Sequence, residues 1–156
     1  MKIADLLTRE RIRIDTDVGS KKRALEVLSE MLADDANDVP AGVIFNKLIG
    51  RERLGSTGLG KGVALPHARL THGGEPRGAL IRLNHGIDFD AFDRQPVDLL
   101  FALVVPEHFT DEHLQILANL AELFSDQELC QQLRQAADTD AIYQRLLDWQ
   151  ETAQMR

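Results

Sequence analysis

The sequence predicts an α/β (α+β) fold in which a β-sheet is covered by helices. Short apolar segments of strand length occur along the chain together with segments whose apolar residues recur at helical spacing. The run from Leu99 to Val105 is apolar throughout, which is typical of a central strand with both faces covered. The chain has 156 residues, of which 44% are hydrophobic and 28% charged, and no repeat or linker divides it. We therefore expect one domain over residues 1–156.

The first third of the chain predicts one strand and two helices. Residues 11–15 alternate between polar and apolar side chains, which favours a short strand with one buried face. Ser20 is a suitable N-cap for a helix whose apolar residues share one face, namely Ala24, Leu25, Leu28, Met31 and Leu32. A second helix is expected to begin near Pro40 and to end on the polar run 50–53, with an inward face of Val43, Ile44 and Leu48.

The remainder of the chain predicts three strands followed by three helices. The run 55–62 contains too much glycine for the interior of a helix or strand and is expected to be a loop. Strands are expected at 63–65, where Pro66 ends the strand, at 78–83 and at 97–105. A helix from Thr110 is expected to bury one apolar face, formed by Leu114, Leu117, Leu120, Ala121 and Phe124. Two more helices are expected, from about Asp126 and at 139–151.

Charge and composition exclude several classes of protein. The net charge is −7 and no segment concentrates the basic residues, so nucleic acid binding is not expected. No segment approaches ~20 consecutive apolar residues. The N-terminus carries charges too early for a signal peptide, so a cytoplasmic protein without membrane insertion is expected. The single cysteine, Cys130, lies in a helical pattern and favours a buried or half-buried thiol in a reducing compartment.

The glycine-rich run resembles the start of a nucleotide-binding P-loop but fails two tests. Its Gly55-x-x-x-x-Gly60-Lys61 is followed by Gly62, where a P-loop has the Ser or Thr that binds magnesium. The run also follows a helix and leads into a strand, which reverses the P-loop order. Nucleotide binding is therefore not expected. The backbone amides of such a run can still form an anion-binding concavity, and the candidates for a phosphate-binding loop are Gly55, Ser56, Thr57, Gly58 and Gly60.

His67 follows Pro66 at the end of the short strand and beside this glycine loop. A neutral imidazole is a nucleophile near physiological pH, and phosphoryl transfer requires mainly positioning and donors for the equatorial oxygens. A single histidine is more often structural than catalytic, so its surroundings must decide its role.

The surroundings of His67 match a known family. The run from Arg51 to His67, Arg-Glu-Arg-Leu-Gly-Ser-Thr-Gly-Leu-Gly-Lys-Gly-Val-Ala-Leu-Pro-His, resembles the active-site signature of the mannitol/fructose-type IIA domains of the bacterial sugar phosphotransferase system. The run 87–101 resembles the same family, as does Val-Val-Pro at 104–106 followed by His113-Leu-x-x-Leu. The run 20–25 is similar to the nitrogen-regulatory branch in particular. The resemblance covers nearly the whole chain.

This resemblance implies a single domain with a central mixed sheet flanked by helices on both sides. It also implies that His67 accepts a phosphoryl group, as a tele-phosphohistidine, from a phosphorylated HPr-like carrier that is charged from phosphoenolpyruvate. No metal, nucleotide or other cofactor is implied for this step. The second active-site histidine of the family falls on His113 and its active-site arginine on Arg51.

The chemistry of these two residues agrees with the implied roles. His113 lies in the first turn of a predicted helix, where the helix dipole disfavours the imidazolium form, although a solvated histidine is the simpler interpretation. Arg51 offers a planar, permanently charged fork for phosphate oxygens, although an arginine on a polar helix end is usually only solvated.

The other histidines and the acidic residues predict no second site. His72 and His85 lie in turn sequences and are expected to be exposed loop residues. A metal site formed by His108, Asp111, Glu112 and His113 is disfavoured because their spacing repeats no known pattern. Asp88, Asp90 and Asp93 lack the glycine and closing glutamate of a calcium loop and are expected to be turn-forming or solvated. Phe89 and Phe92 are expected to pack toward the core.

Three functional hypotheses remain open. The first is a regulatory phosphocarrier of the nitrogen branch, which controls target proteins (nitrogen or potassium regulators) through the phosphorylation state of His67. Such a protein is a phosphoryl carrier rather than a multiple-turnover enzyme. The second is a sugar-specific IIA component that passes phosphate to a IIB partner for fructose- or mannitol-type uptake. The third is a purely binding role in which the histidine chemistry is vestigial.

Overall fold

The structure, a computed structural model, describes residues 2–34, 39–71 and 74–154. Within these ranges, six α-helices span Ile3–Leu6 (α1), Lys21–Leu32 (α2), Ala41–Glu52 (α3), Asp111–Ser125 (α4), Gln127–Gln135 (α5) and Thr139–Gln154 (α6). Six strands span Ile12–Thr16 (β1), Gly58–Gly60 (β2), Val63–Ala64 (β3), His67–Leu70 (β4), Arg77–Ile87 (β5) and Val97–Pro106 (β6). Across these described ranges, no helix is both long and apolar enough to cross a membrane.

All six strands form one mixed sheet. Five of them follow the order β1-β5-β6-β3-β2, and β4 pairs with β6 off this path. Strand β5 runs parallel to β1 and antiparallel to β6. Strands β3 and β4 both pair in parallel with the far side of β6, and β2 closes this edge as an antiparallel partner of β3. The predicted fold class, a mixed sheet flanked by helices on both sides, is therefore confirmed.

Strand β6 lies at the centre of the sheet and is buried on both faces, as its sequence predicts. Leu100, Ala102 and Val104 pack with residues of α2 and α3 on one side. Leu99, Phe101, Leu103 and Val105 pack with residues of α1, α4, α5 and α6 on the other. A strand buried on both faces needs continuous apolar character rather than alternation, and β6 has it.

Strand pairing with β6 is interrupted at Pro66, but the segments before and after the proline keep the same register on β6. Ala64 pairs with Leu100 before the proline, and His67 pairs with Leu103 after it, so both segments keep the same offset. The proline has no N–H to donate, but its carbonyl accepts a hydrogen bond from Leu103 N at 2.9 Å. The prediction that a short strand stops at Pro66 is confirmed, because β3 ends at Ala64. The sequence did not predict β4, in which pairing with β6 resumes at His67.

The helix signals near the N-terminus are largely confirmed. The Ser20 hydroxyl accepts a hydrogen bond from Arg23 N at 3.1 Å and caps α2. Pro40 is the N-cap of α3 rather than a residue of its first turn.

The glycine-rich run contains a strand, β2, which the sequence did not predict. Strand β2 turns into β3 through Lys61 and Gly62, whose φ angles of 56° and 84° suit a tight hairpin.

Three predicted environments and one predicted location are wrong. Val43 is 47% exposed because α3 buries the neighbouring stripe of Ile44 and Leu48. Leu114 is 62% exposed because α4 turns His113, Ile116 and Leu120 toward the sheet. Phe92 is 79% exposed, and its ring lies against the backbone of Gly60 at the sheet edge, whereas Phe89 is buried as predicted. His85 is exposed, but it lies in strand β5 rather than in a loop. His72 lies outside the described residues.

Replacement of Gly78 by alanine is expected to destabilise the protein by about 1–3 kcal/mol, the usual cost of overpacking a core. A Cβ on Gly78 would lie 2.5 Å from Phe101 Cζ, inside the packed sheet. Gly50→Ala in α3 is the matched control, because a Cβ there meets nothing within 4 Å. We expect that change to stabilise the helix by about 0.5–1 kcal/mol. Urea unfolding measures both, and equal stabilities for the two variants would contradict the packing at Gly78.

Candidate functional site

The rings of His67 and His113 lie together at the start of β4 and of α4. Their centroids are 5.7 Å apart and the rings meet edge to face at 75°. Side chains alternate along β4, and Ala68 and Leu70 point into the core beneath α2 and α3. His67 and Arg69 therefore face the opposite side, where α4 packs. Residues far apart in the sequence are brought together here by the pairing of β4 with β6.

The His67 ring is held in one orientation by a backbone carbonyl. Its Nδ1 lies 2.7 Å from the oxygen of Leu65, so Nδ1 carries the hydrogen of the neutral ring and donates it. The lone pair is thus on Nε2. Burial lowers the pKa of His67, the charge of Arg51 lowers this pKa further, and the bond to Leu65 and the charge of Glu52 oppose the shift. The ring is therefore neutral at physiological pH.

His113 is the third residue of α4 and only 4% exposed. Its Nδ1 accepts a hydrogen bond from Arg69 Nε at 3.2 Å, which leaves the hydrogen of the neutral ring on Nε2. This Nε2 has no partner among the described residues. The pKa of His113 is lowered to about 4. Burial is the largest cause, and the charges of the neighbouring His67 and Arg69 contribute less. An unpaired buried donor costs free energy, and it offers a ready site for an acceptor atom.

Arg51 lies in the last turn of α3 and is half-buried. Its Nη1 donates to the oxygen of Gly55 at 2.8 Å, and within the described part of the chain no carboxylate pairs with it. Its charge contributes to the lowered pKa of His67, so the guanidinium acts on that ring electrostatically. Two predicted histidines and the predicted arginine are thus brought into one region.

Several amides of the glycine loop make structural hydrogen bonds, either within the loop or to Glu52. The amide of Gly55 donates to Glu52 O at 3.1 Å, that of Thr57 to Glu52 Oε1 at 3.1 Å, and that of Gly58 to Ser56 Oγ at 3.0 Å. The hydroxyl of Ser56 donates to the carbonyl of Phe89 at 2.8 Å. These amides serve the shape of the loop, and a direct phosphate-binding role for it stays a prediction.

Sequence reasoning missed two residues of this region, Arg69 and Glu52. Arg69 follows His67 by two positions in β4, and this alternation is the one signal that places both on the same face. The sequence predicts Glu52 as part of a polar helix end, yet its side chain is buried and binds Lys21 and Thr57. Nothing in a single sequence pairs Glu52 with Lys21, because the contact depends on how α2 packs against α3.

The remaining candidate residues have structural partners. In the ranges that the structure describes, no group of three or more His, Cys, Asp or Glu side chains is arranged to hold a metal ion. The ring of His108 packs against that of Phe109 at a centroid distance of 4.9 Å. Asp93 accepts a hydrogen bond from Lys61 N at 2.8 Å, and Asp88 accepts one from Asp90 N at 2.9 Å. These two acids have the turn-forming role that the sequence predicts.

The stability that neutral His113 contributes is expected to decrease as the pH falls from about 6.5 to about 4. The pKa of His113 is about 4 in the folded protein, against an ordinary value of 6.5 in the unfolded chain. In this pH window the unfolded chain therefore binds a proton that the folded chain does not. Between about pH 7.5 and 4.5 the loss is about 2–3 kcal/mol. Urea unfolding should show a loss in wild type that exceeds the loss in His113→Gln by this amount. The same pH dependence in both proteins would contradict the lowered pKa.

Comparison with known proteins identifies the family of the chain. The family model of the phosphoenolpyruvate-dependent sugar phosphotransferase system, EIIA 2, matches residues 5–149. The chain is 41% identical to a nitrogen regulatory protein of Pseudomonas aeruginosa over 150 residues, which are 96% of this chain and 97% of that one. It is 33% identical to a fructose-specific EIIABC component of Bacillus subtilis over 144 residues, 91% of this chain and 22% of that protein.

A solved structure supports the same relationship. The nitrogen regulatory protein IIA-Ntr of Neisseria meningitidis superposes with a TM-score of 0.88 at 39% identity, covering 92% of this chain and 98% of that one. High identity and near-complete mutual coverage extend from the sequence to the fold. The chain therefore belongs to the EIIA 2 family of the phosphoenolpyruvate-dependent sugar phosphotransferase system, in which it resembles the nitrogen regulatory members over nearly its whole length.

Proposed function

We propose that this protein is a regulatory phosphocarrier. It accepts a phosphoryl group on Nε2 of His67 from an HPr-like carrier that is charged from phosphoenolpyruvate. It then controls partner proteins, nitrogen or potassium regulators among them, according to its phosphorylation state. The observation that carries the proposal is the pair of ring nitrogens at the site. The lone pair of His67 Nε2 lies beside a buried ring whose Nε2–H has no partner in the described structure.

The transfer exchanges one nitrogen–phosphorus bond for another. The lone pair of His67 Nε2 forms the new bond while the bond to the donor's phosphohistidine breaks, and its electron pair returns to the donor ring. Positive charge develops on the His67 ring during the attack. The carbonyl of Leu65, which accepts the Nδ1–H, stabilises this charge and keeps Nε2 aimed at the phosphorus. No proton has to move, because Nε2 carries none.

The charge on the phosphoryl oxygens requires donors, and the site contains two kinds. His113 presents a neutral Nε2–H that is fixed by Arg69, and Arg51 presents a guanidinium with N–H groups beyond the one that binds Gly55. Phosphoryl transfer depends mainly on positioning and on such electrostatic stabilisation. These residues supply both, and the step needs no metal or nucleotide in this scheme.

Phosphorylation would change the surface that a partner meets. Phosphorylation places a negatively charged phosphoryl group at a half-buried position that is uncharged before transfer. Large apolar side chains are exposed beside the site, with Leu114 adjacent to His113 in α4 and Leu54 three residues after Arg51. A partner that packs on such side chains would accept one charge state and reject the other. A regulatory role through competing docking states is consistent with the nitrogen regulatory relatives.

Intact-mass analysis tests the phosphorylation site. Wild type and His67→Ala are incubated with phosphoenolpyruvate, the first enzyme of the relay and its HPr-like carrier. His85→Ala serves as the control, since His85 is an exposed histidine on β5. We expect one phosphoryl group on wild type and on the control, and none on His67→Ala. Acid-labile phosphate on His67→Ala would refute the site, and an unphosphorylated wild type with every HPr-like donor would support a purely binding role.

The fructose-specific relative supports a second candidate function, in which the phosphoryl group passes to a IIB partner for sugar uptake. Both candidates share the first step and differ in the second. Labelled phosphoprotein should therefore be mixed with sugar IIB proteins, and the label followed over time. We expect the label to stay on His67, as regulation requires. Rapid transfer to one of these IIB proteins would favour transport.

A further inference from the structure

The carboxylate of Glu52 is the most completely buried charge near the site. Its side chain is 2% exposed at the end of α3. A buried carboxylate is tolerated when it is paired and hydrogen-bonded, and Glu52 is both. Its Oε1 lies 3.0 Å from Lys21 Nζ and accepts the amide of Thr57 at 3.1 Å, and its Oε2 accepts the hydroxyl of Thr57.

Lys21 holds this carboxylate from the first residue of α2. Its side chain is also largely buried, and its Nζ lies 3.5 Å from Asp90 and 4.6 Å from the ring centroid of Phe89. The same Phe89 accepts the Ser56 hydroxyl through its carbonyl. Helix α2, the end of α3 and two loops are therefore joined around the ion pair of Lys21 and Glu52.

A continuous series of hydrogen bonds leads from Glu52 to His67. The carbonyl of Thr57 accepts the amide of Leu65 at 3.0 Å. The carbonyl of Leu65 in turn accepts the Nδ1–H of His67 at 2.7 Å. Pro66, between Leu65 and His67, has no N–H to donate, and its carbonyl is held by Leu103 N of β6. The β6 ladder therefore fixes the ends of this segment. The orientation of the Leu65 peptide between them also depends on the Thr57 backbone, which Glu52 holds.

We propose that Glu52 is a positioning residue for His67, acting through Thr57 and Leu65 without touching the reacting atoms. It holds the Leu65 carbonyl where it selects the Nδ1–H form of the ring, and this leaves Nε2 free to attack. Lys21 supports the charge of Glu52 in this role. The inference rests on the proposed phosphocarrier function but concerns the state of the ring before any transfer.

Glu52→Gln is the variant that tests this role. Its amide oxygen can accept one of the two Thr57 donors, while its NH2 group cannot accept the other and no longer balances Lys21. NMR of the ring nitrogens at about pH 8 reports which nitrogen carries the hydrogen when histidine is neutral. We expect the Nδ1–H form alone in wild type and a mixture of both forms in Glu52→Gln. Phosphoryl uptake should slow by about 10- to 100-fold, because misplacement of a reacting group carries such a cost.

Three further variants separate positioning from general effects. Glu26→Gln removes the same charge from an exposed ion pair on α2 and should leave both the tautomer and the rate unchanged. Thr57→Ser keeps the hydroxyl contact to Glu52 and should keep the wild-type tautomer. Thr57→Val keeps the backbone amide but loses the hydroxyl contact, so we expect a smaller shift in the same direction. This variant decides the question if Glu52→Gln does not fold.

The outcomes are distinct for the two proposals. A folded Glu52→Gln with the wild-type tautomer would overturn the positioning role, whether or not its rate falls. A Thr57→Val protein with an unchanged tautomer would overturn it when Glu52→Gln is unfolded. The tautomer is measured without any phosphoryl donor, so it decides the role of Glu52 even if wild type takes up no phosphate. That last result would refute the phosphocarrier function alone.

Discussion

The pairing of β3 and β4 with one side of β6, across a proline, is the constraint on which the site depends. The register is kept on both sides of Pro66, so His67 is fixed by the ladder at Leu103. Between the two segments, the backbone groups of Leu65 bond to partners outside β6. Its N–H donates to the carbonyl of Thr57, and its carbonyl accepts the Nδ1–H of His67. A break in the strand thus supplies backbone groups to the site, while the rigid centre of the sheet holds them in place.

The electrostatics of the region keep two histidines neutral in different tautomers. Burial lowers the pKa of both rings, and Arg51 and Arg69 each add to the shift of one ring. A nucleophile needs an unprotonated nitrogen, and a hydrogen-bond donor needs a protonated one. The carbonyl of Leu65 fixes the first state on His67, and Arg69 fixes the second on His113. Neutrality and complementary tautomers together are what the proposed phosphoryl transfer to His67 requires.

The sequence predicts the framework well because its signals are local. A run of apolar residues marks β6, and Ser20 caps α2 as expected. Errors arose where a helix has two plausible apolar faces, as at Leu114, whose place toward the sheet is taken by His113. The supporting residues Arg69 and Glu52 could not be predicted for another reason. Arg69 meets His113 across 44 positions of sequence, and such a contact is specified only by sheet and helix packing.

A carrier has to hold its phosphoryl group and also release it, and the arrangement of donors bears on this balance. The buried Nε2–H of His113 lacks a partner before phosphorylation, so the empty state carries a cost that an acceptor relieves. Arg51 is half-buried and already shares one N–H with Gly55, so it can adjust to the phosphoryl group without leaving α3. One donor is therefore rigid and the other adaptable. In the proposed function, the same two donors would contact the phosphoryl group in the forward and the reverse transfer.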